Sequence, residues 1–237
     1  MNIIILSGGS GKRLWPLTGG QRAKQFIKCL KREDGTPESM LQRAYRNITG
    51  IYPDARIVVA ANSRQTETIR DQIGEKTDIS AEPCARDTFA AMALAVLYFS
   101  DRFRVDENEA VVVCPSDAYA EKPFYECFKL MSDEVQSAGT DMVLVGRKPD
   151  NASSEYGYIM PEQRMNGDLG KFLKVKSFVE KPDTATSLKL VDEGALWNCG
   201  VFAFRISNMK RIVKELTGID NYTQFLDRYA SLPSLSF

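Results

Sequence analysis

Among its 237 residues the sequence contains no histidine. That single absence removes Ser-His-Asp and Cys-His nucleophilic sites, and His-ligated zinc or haem with them. An excess of charge of either sign is also missing, because 31 Lys+Arg balance 31 Asp+Glu. Nucleic-acid binders gather phosphates with a basic field, so a DNA or RNA role is disfavoured and any basic site must be local. The five cysteines, Cys29, Cys84, Cys114, Cys127 and Cys199, are odd in number and contain no CxxC. A disulfide scaffold or zinc ribbon is therefore not expected, and most of these residues read as core. Long hydrophobic runs are lacking too: Ile3–Leu6 is too short for a signal peptide, and Phe89–Phe99 falls well short of the roughly 20 residues a membrane helix needs. The expectation is a cytoplasmic protein, without membrane or nucleic-acid partners, whose chemistry runs on Lys, Arg, Asp, Glu, hydroxyls and backbone.

What is present is a recurring pattern. Ile3-Ile4-Ile5-Leu6 is a continuous β-rich run of the kind found in strands buried on both faces. Similar runs follow at Ile57–Ala61, Val111–Cys114 and Met142–Gly146, with helical segments expected over Gln65–Ile73, Asp87–Phe99 and Phe124–Ser137. Asp87 or Thr88 is placed to cap the second of these. Strands alternating with helices at this spacing predict right-handed βαβ units, hence an α/β, doubly wound, mainly parallel sheet of Rossmann-like type over residues 1 to about 150. Beyond Pro149 the pattern changes to strands at Tyr156–Pro161, Lys171–Glu180 and Trp197–Arg205 around a helix at Asp183–Glu193, expected to complete the same sheet.

The first strand runs into Ser7-Gly8-Gly9-Ser10-Gly11-Lys12-Arg13. Glycines there let backbone N–H groups approach an anion, and a phosphate chain is the usual guest. A P-loop would need Gly at Leu6 and Ser or Thr at Arg13, and a dinucleotide fingerprint would need Gly at Leu14, so neither motif applies.

The segment Gly8–Thr18, followed by Lys24-Gln25-Phe26, resembles the signature of sugar-1-phosphate nucleotidyltransferases. Its Leu14-Trp15-Pro16-Leu17 and Lys24-Gln25-Phe26 forms resemble the mannose-1-phosphate guanylyltransferase branch. Further motifs resemble that branch in the same order: Glu82-Pro83 with Arg86-Asp87-Thr88, Pro115-Ser116-Asp117, Tyr156–Ile159, Phe178–Pro182 and Trp197–Phe202. The resemblance implies attack by a sugar-1-phosphate oxygen on the α-phosphorus of GTP, with release of pyrophosphate. Both reacting groups are already phosphates, so no side-chain nucleophile or base is required, which suits a chain without histidine.

By this resemblance Arg13 and Lys24 are the catalytic cations, and Leu6, Gly8, Gly9, Gly11, Glu82, Arg86 and Thr88 contact the nucleotide. Glu82, whose two acceptor oxygens match the donor pair on guanine's N1 and N2 edge, or the backbone beside it, is expected to help select GTP. Gly157, Glu180, Lys181 and Asn198 are expected to hold the sugar phosphate, and Asp117 to ligate Mg²⁺ together with substrate phosphates. Three departures stand out, namely Ala118 where the branch often has His, Asp87 in place of Asn, and Phe89-Ala90-Ala91 in place of Ala-Pro-Ala. The branch's second metal-binding Asp belongs to a motif that would begin near Ser236-Phe237; Asp220 and Asp227 match no such motif. The expectation is thus one nucleotidyltransferase domain over residues 1–237 that lacks the family's C-terminal portion. A pyrophosphorylase for another base or for a heptose-1-phosphate, and a catalytically silent binding subunit, are the alternatives. The oligomeric state is left open, a homo-oligomer included.

Overall fold

A computed structural model describes residues 1–9, 23–137, 139–163 and 172–232. Two compact units are formed, one from Met1–Val143 with Phe202–Phe237 and one from Leu144–Val201.

The first unit is built on β1 (Asn2–Leu6), β4 (Arg56–Asn62), β5 (Asp78–Glu82) and β6 (Ala110–Pro115), in the order β5-β4-β1-β6 and all parallel. Ile3, Ile4 and Ile5 are fully buried, as a strand with neighbours on both edges and helices on its faces requires. The end of β10 (Leu196–Arg205) lies antiparallel on β6, pairing Phe202 with Val113 and Arg205 with Ala110. Against one face pack α3 (Thr88–Phe103), α6 (Ile206–Thr217) and α7 (Tyr222–Arg228), which share a core with Ile4, Val58, Ala60, Val111 and Val113. The α3 helix is apolar on nearly every side and ends at Arg104, whose φ of 48° is left-handed. Cys114 alternates to the opposite face, beside Tyr125 of α4 (Lys122–Ser137); burial pushes its thiol up to about 12.

A hairpin-like pair, β2 (Leu30–Lys31) and β3 (Pro37–Glu38), leads into α1 (Met40–Ile51), with α2 (Thr66–Ile73) further along. Ser39 caps α1 by accepting from the Gln42 N–H, while the Gln42 side chain accepts from the Ser39 N–H.

In the second unit β8 (Tyr158–Pro161) pairs antiparallel with β9 (Val175–Val179) and with the start of β10. The strand β7 (Met142–Arg147) enters this unit from the first. Helix α5 (Thr184–Glu193) starts at Asp183, whose carboxylate accepts from the Thr186 N–H at 2.7 Å, and stops at Gly194 in a left-handed conformation. Tyr158, Leu190, Ala195 and Trp197 form its small core.

The α/β, Rossmann-like architecture is the expected one. The strands after Pro149, whose direction the sequence leaves open, pair antiparallel, because Tyr158–Pro161 and Val175–Val179 neighbour each other without a crossover helix. Two details differ from the sequence reading. Those two strands are shorter than expected. Of the cysteines only Cys114 is buried, and Cys29 is exposed; none of the five is in a disulfide. No helix among the described residues is long and apolar enough to cross a membrane.

Candidate active site

In the first unit, the carboxyl ends of β1, β5 and β6 gather one set of the expected residues, as open α/β sheets arrange their ligand sites. Backbone at Leu6 and Ser7 is spent on the sheet: the Leu6 carbonyl accepts from Ser116 N–H and the Ser7 N–H donates to Ala60. Gly8 and Gly9 then leave the strand. A Cβ on Gly8 would lie 2.8 Å from Glu82 Oε1, so only glycine fits there without displacing that carboxylate. Gln25 fastens the same turn, its Nε2 donating to the carbonyls of Ser7 at 2.6 Å and Gly9 at 3.2 Å. Sequence reasoning places Gln25 inside a motif without giving it a role; the available signal is an amide set between Lys24 and the apolar Phe26, and the structure buries it.

Lys24 opens a single 3-10 turn, Lys24–Phe26, and Asp117 follows β6. Their side chains meet, Nζ to Oδ2 at 2.7 Å, with about two-fifths of each exposed. A pair this open contributes little to stability, so either partner can be exchanged for a ligand group at low cost. Gly11 and Arg13 lie outside the described residues.

Glu82 ends β5 and is 4% exposed. Burial pushes its pKa up, opposed by a bond from Tyr229 Oη at 2.7 Å and another from the Arg86 N–H. The carboxylate expected to face guanine is therefore turned inward and already has donors. Arg86 directs its guanidinium to the Leu232 carbonyl at 2.6 Å. Thr88 is exposed at the first turn of α3, and Asp87 occupies the cap position without a side-chain capping bond. Because the raised pKa means that the folded state holds the Glu82 proton more tightly, stability should fall as pH rises above the ordinary 4.5 toward the folded value. In Glu82→Gln this fall should be absent, so the stability of the native chain relative to the variant should decrease between pH 4.5 and 8 in urea titrations.

The second unit brings together all four residues expected at the sugar phosphate. The Asn198 N–H donates to the Gly157 carbonyl at 2.8 Å, and Asn198 Oδ1 accepts from Gly200 N–H at 3.0 Å. A Cβ on Gly157 would stand 2.6 Å from Glu180 Oε2 and 2.8 Å from Phe178 Cζ. Glu180 in turn holds Lys181, Oε1 to Nζ at 3.0 Å. Lys181 has a φ of 41°, a conformation that costs a non-glycine residue and is concentrated at functional sites. Beside them Tyr156, half exposed, rests on the buried Trp197 with ring centroids 4.7 Å apart, and Arg147 lies over the same indole. Tyr158 and Trp197 are core; Tyr156 is not. Gly157→Ala should swing Glu180 away and raise KM for the sugar phosphate by at least tenfold with little change in KM for the nucleotide, read by steady-state kinetics.

The described residues contain no group of three or more His, Cys, Asp or Glu side chains able to hold a metal. Asp117 supplies one oxygen-donor side chain, which fits a magnesium ion that draws its other ligands from phosphates and water.

A family model described as "Nucleotidyl transferase" matches residues 2–231. Among relatives, a mannose-1-phosphate guanylyltransferase of Salmonella muenchen is 32% identical over 220 residues, covering 90% of this chain and 44% of its own length. One from Escherichia coli is 29% identical over 219 residues, covering 90% and 45%. A solved structure from Thermus thermophilus, described as a mannose-1-phosphate geranyltransferase, superposes with a TM-score of 0.79 at 26% identity over 99% of this chain and 68% of that one. The chain spans less than half the length of these two curated relatives. A glycine turn braced at a strand end, a lysine–carboxylate pair beside it and a match from residue 2 to residue 231 lead to one conclusion: the chain belongs to the nucleotidyl transferase family.

Proposed function

We propose that the protein transfers a guanylyl group from GTP to a sugar-1-phosphate, mannose-1-phosphate foremost, giving a GDP-sugar and pyrophosphate. The observation that carries this reading is the Lys24–Asp117 pair beside the Gly8-Gly9 turn, a partly exposed cation and an oxygen donor of the kind a triphosphate and its metal require. The names of the relatives support the base and the sugar. An oxygen of the sugar phosphate attacks the α-phosphorus, the bond from that phosphorus to the bridging oxygen of the β-phosphate breaks, and pyrophosphate leaves with the electron pair. Lys24 and Arg13 neutralise the charge that collects on the phosphoryl oxygens, and the glycine backbone holds the chain of phosphates in line. Glu180, Lys181, Asn198 and the Gly157 backbone orient the sugar phosphate. Asp117 would hold Mg²⁺, whose chemistry here is charge neutralisation of bound phosphates. Five cysteines, none of them in a disulfide, support a reducing cytoplasm as its setting.

A second reading is a binding subunit without turnover. Pyrophosphate release from four nucleoside triphosphates crossed with mannose-, glucose- and heptose-1-phosphates, with Asp117→Ala as control, separates the two. Release with GTP and one sugar supports the enzyme. GTP binding without release supports the subunit, and neither binding nor release overturns both.

A further inference from the structure

Tyr229 lies in the short 3-10 turn Tyr229–Ser231 that follows α7, and its side chain is fully buried. Its ring packs on Phe225 at 6.0 Å, a contact that phenylalanine would make equally well. The hydroxyl is what distinguishes it, and that hydroxyl donates to Glu82 Oε2, 147 residues away in sequence, at 2.7 Å. The other oxygen of the same carboxylate abuts Gly8, at 2.8 Å from where a Cβ would be. Glu82 is thus wedged between a phenol and the glycine turn. Independently, Arg86 donates to the Leu232 carbonyl at 2.6 Å, so the end of α7 and its turn are tied at two points to the segment between β5 and α3.

Resting on the nucleotidyl-transfer reading above, we propose that Tyr229 is a positioning residue that acts through Glu82 to fix the Gly8-Gly9 backbone at the triphosphate. Backbone donors stabilise a phosphate chain only as far as they are held in place before it arrives. A carboxylate buried under that backbone keeps its position only while its own acceptors are satisfied. Removing the hydroxyl takes away one of two donors to Glu82, the Arg86 N–H being the other, and the carboxylate then takes up a proton or turns toward water. In both cases Gly8 loses its support.

The test is Tyr229→Phe, which deletes one oxygen from a buried ring. The expected result is a fall in kcat/KM for GTP of about tenfold, carried mainly by KM, the scale of one hydrogen bond to a charged group. The KM for the sugar phosphate should stay unchanged. In a Glu82→Ala background, which leaves the hydroxyl no acceptor at that side chain, the effect of Tyr229→Phe should largely vanish, since the tyrosine acts through Glu82. Phe225→Leu, which loosens the same cluster without touching Glu82, should lower stability and leave KM for GTP alone. An unchanged KM in Tyr229→Phe, an equal change in Phe225→Leu, or full additivity with Glu82→Ala would overturn the proposal with the reading intact. If the native chain neither binds GTP nor releases pyrophosphate, the reading itself fails, and amide exchange decides the brace alone. Faster exchange at Gly9 and Arg86 in Tyr229→Phe then supports it, and equal exchange overturns it.

Discussion

Lys24→Met is expected to lower kcat by about 10²–10³-fold, the range for losing one preorganised group that stabilises transition-state charge. The side chain leaves the Lys24–Phe26 turn and meets Asp117 at 2.7 Å, close to the Gly8-Gly9 backbone that Gln25 clamps. Two features make the effect one of rate rather than of folding. The pair is too exposed to contribute more than about 1 kcal/mol to stability. The turn itself is held by other bonds, since Gln25 is tied to Ser7 and Gln72 Nε2 donates to the Phe26 carbonyl at 2.9 Å. Methionine preserves the aliphatic length and removes only the charge. Steady-state pyrophosphate release alongside urea denaturation checks the split: a kcat within tenfold of the native value would remove Lys24 from the transition state, whatever happens to KM.

Glu38→Gln is expected to cost about 3 kcal/mol of stability, because removing one partner of a buried ion pair costs roughly 3–5 kcal/mol. Glu38 is completely buried, yet three arginines converge on it. Arg46 binds both oxygens, at 2.9 and 3.1 Å, with Arg32 at 3.2 Å and Arg43 at 3.5 Å. The low end of the range applies because Arg32 and Arg46 reach water and recover part of their solvation. Burial alone would raise the Glu38 pKa, but Arg46 and then Arg32 outweigh it and hold the group below its ordinary 4.5. A lowered pKa contributes stability that is present above 4.5 and lost as pH falls through the folded value. The gap between native chain and variant should therefore be full at pH 7 and close in acid, as measured by denaturant titration at a series of pH values. A gap that stays constant with pH would mean the carboxylate's charge is not the source. The site should feel the change as well. Glu38 immediately precedes Ser39, which caps α1 and also donates to Gln72, the residue that holds the Phe26 carbonyl beside Lys24.

The contrast between these two sites says what a sequence can disclose. Ile3–Leu6, Ile57–Ala61 and Val111–Cys114 announce themselves, since a strand buried on both faces has no room for polar alternation. Gly157, Glu180, Lys181 and Asn198 are reached only through a resemblance, and they fall into one cluster. Helix α1 goes unread, although Ser39-x-x-Gln42 is a capping signal. Only the fold reveals that Arg43 and Arg46 turn back onto Glu38. Tyr229 is beyond reach for a different reason: a partner 147 positions away leaves no local pattern. The inward turn of Glu82 follows from that same distant contact.

The strand order also has a bearing on how the chain is made. In β5-β4-β1-β6 the strand β1 is an inner one, and both of its edges wait for segments translated after it. Ile3 to Leu6 pair with Ile57–Ala60 on one side and with Val112–Pro115 on the other. At the usual elongation rate of about 5–20 residues per second, the second edge stays open for on the order of ten seconds after the isoleucines emerge. A run of four β-prone apolar residues, unpaired for that long, is a template for the wrong neighbour. Slower translation through the stretch before Ala110 should therefore lower the yield of native molecules, as measured by the soluble active fraction.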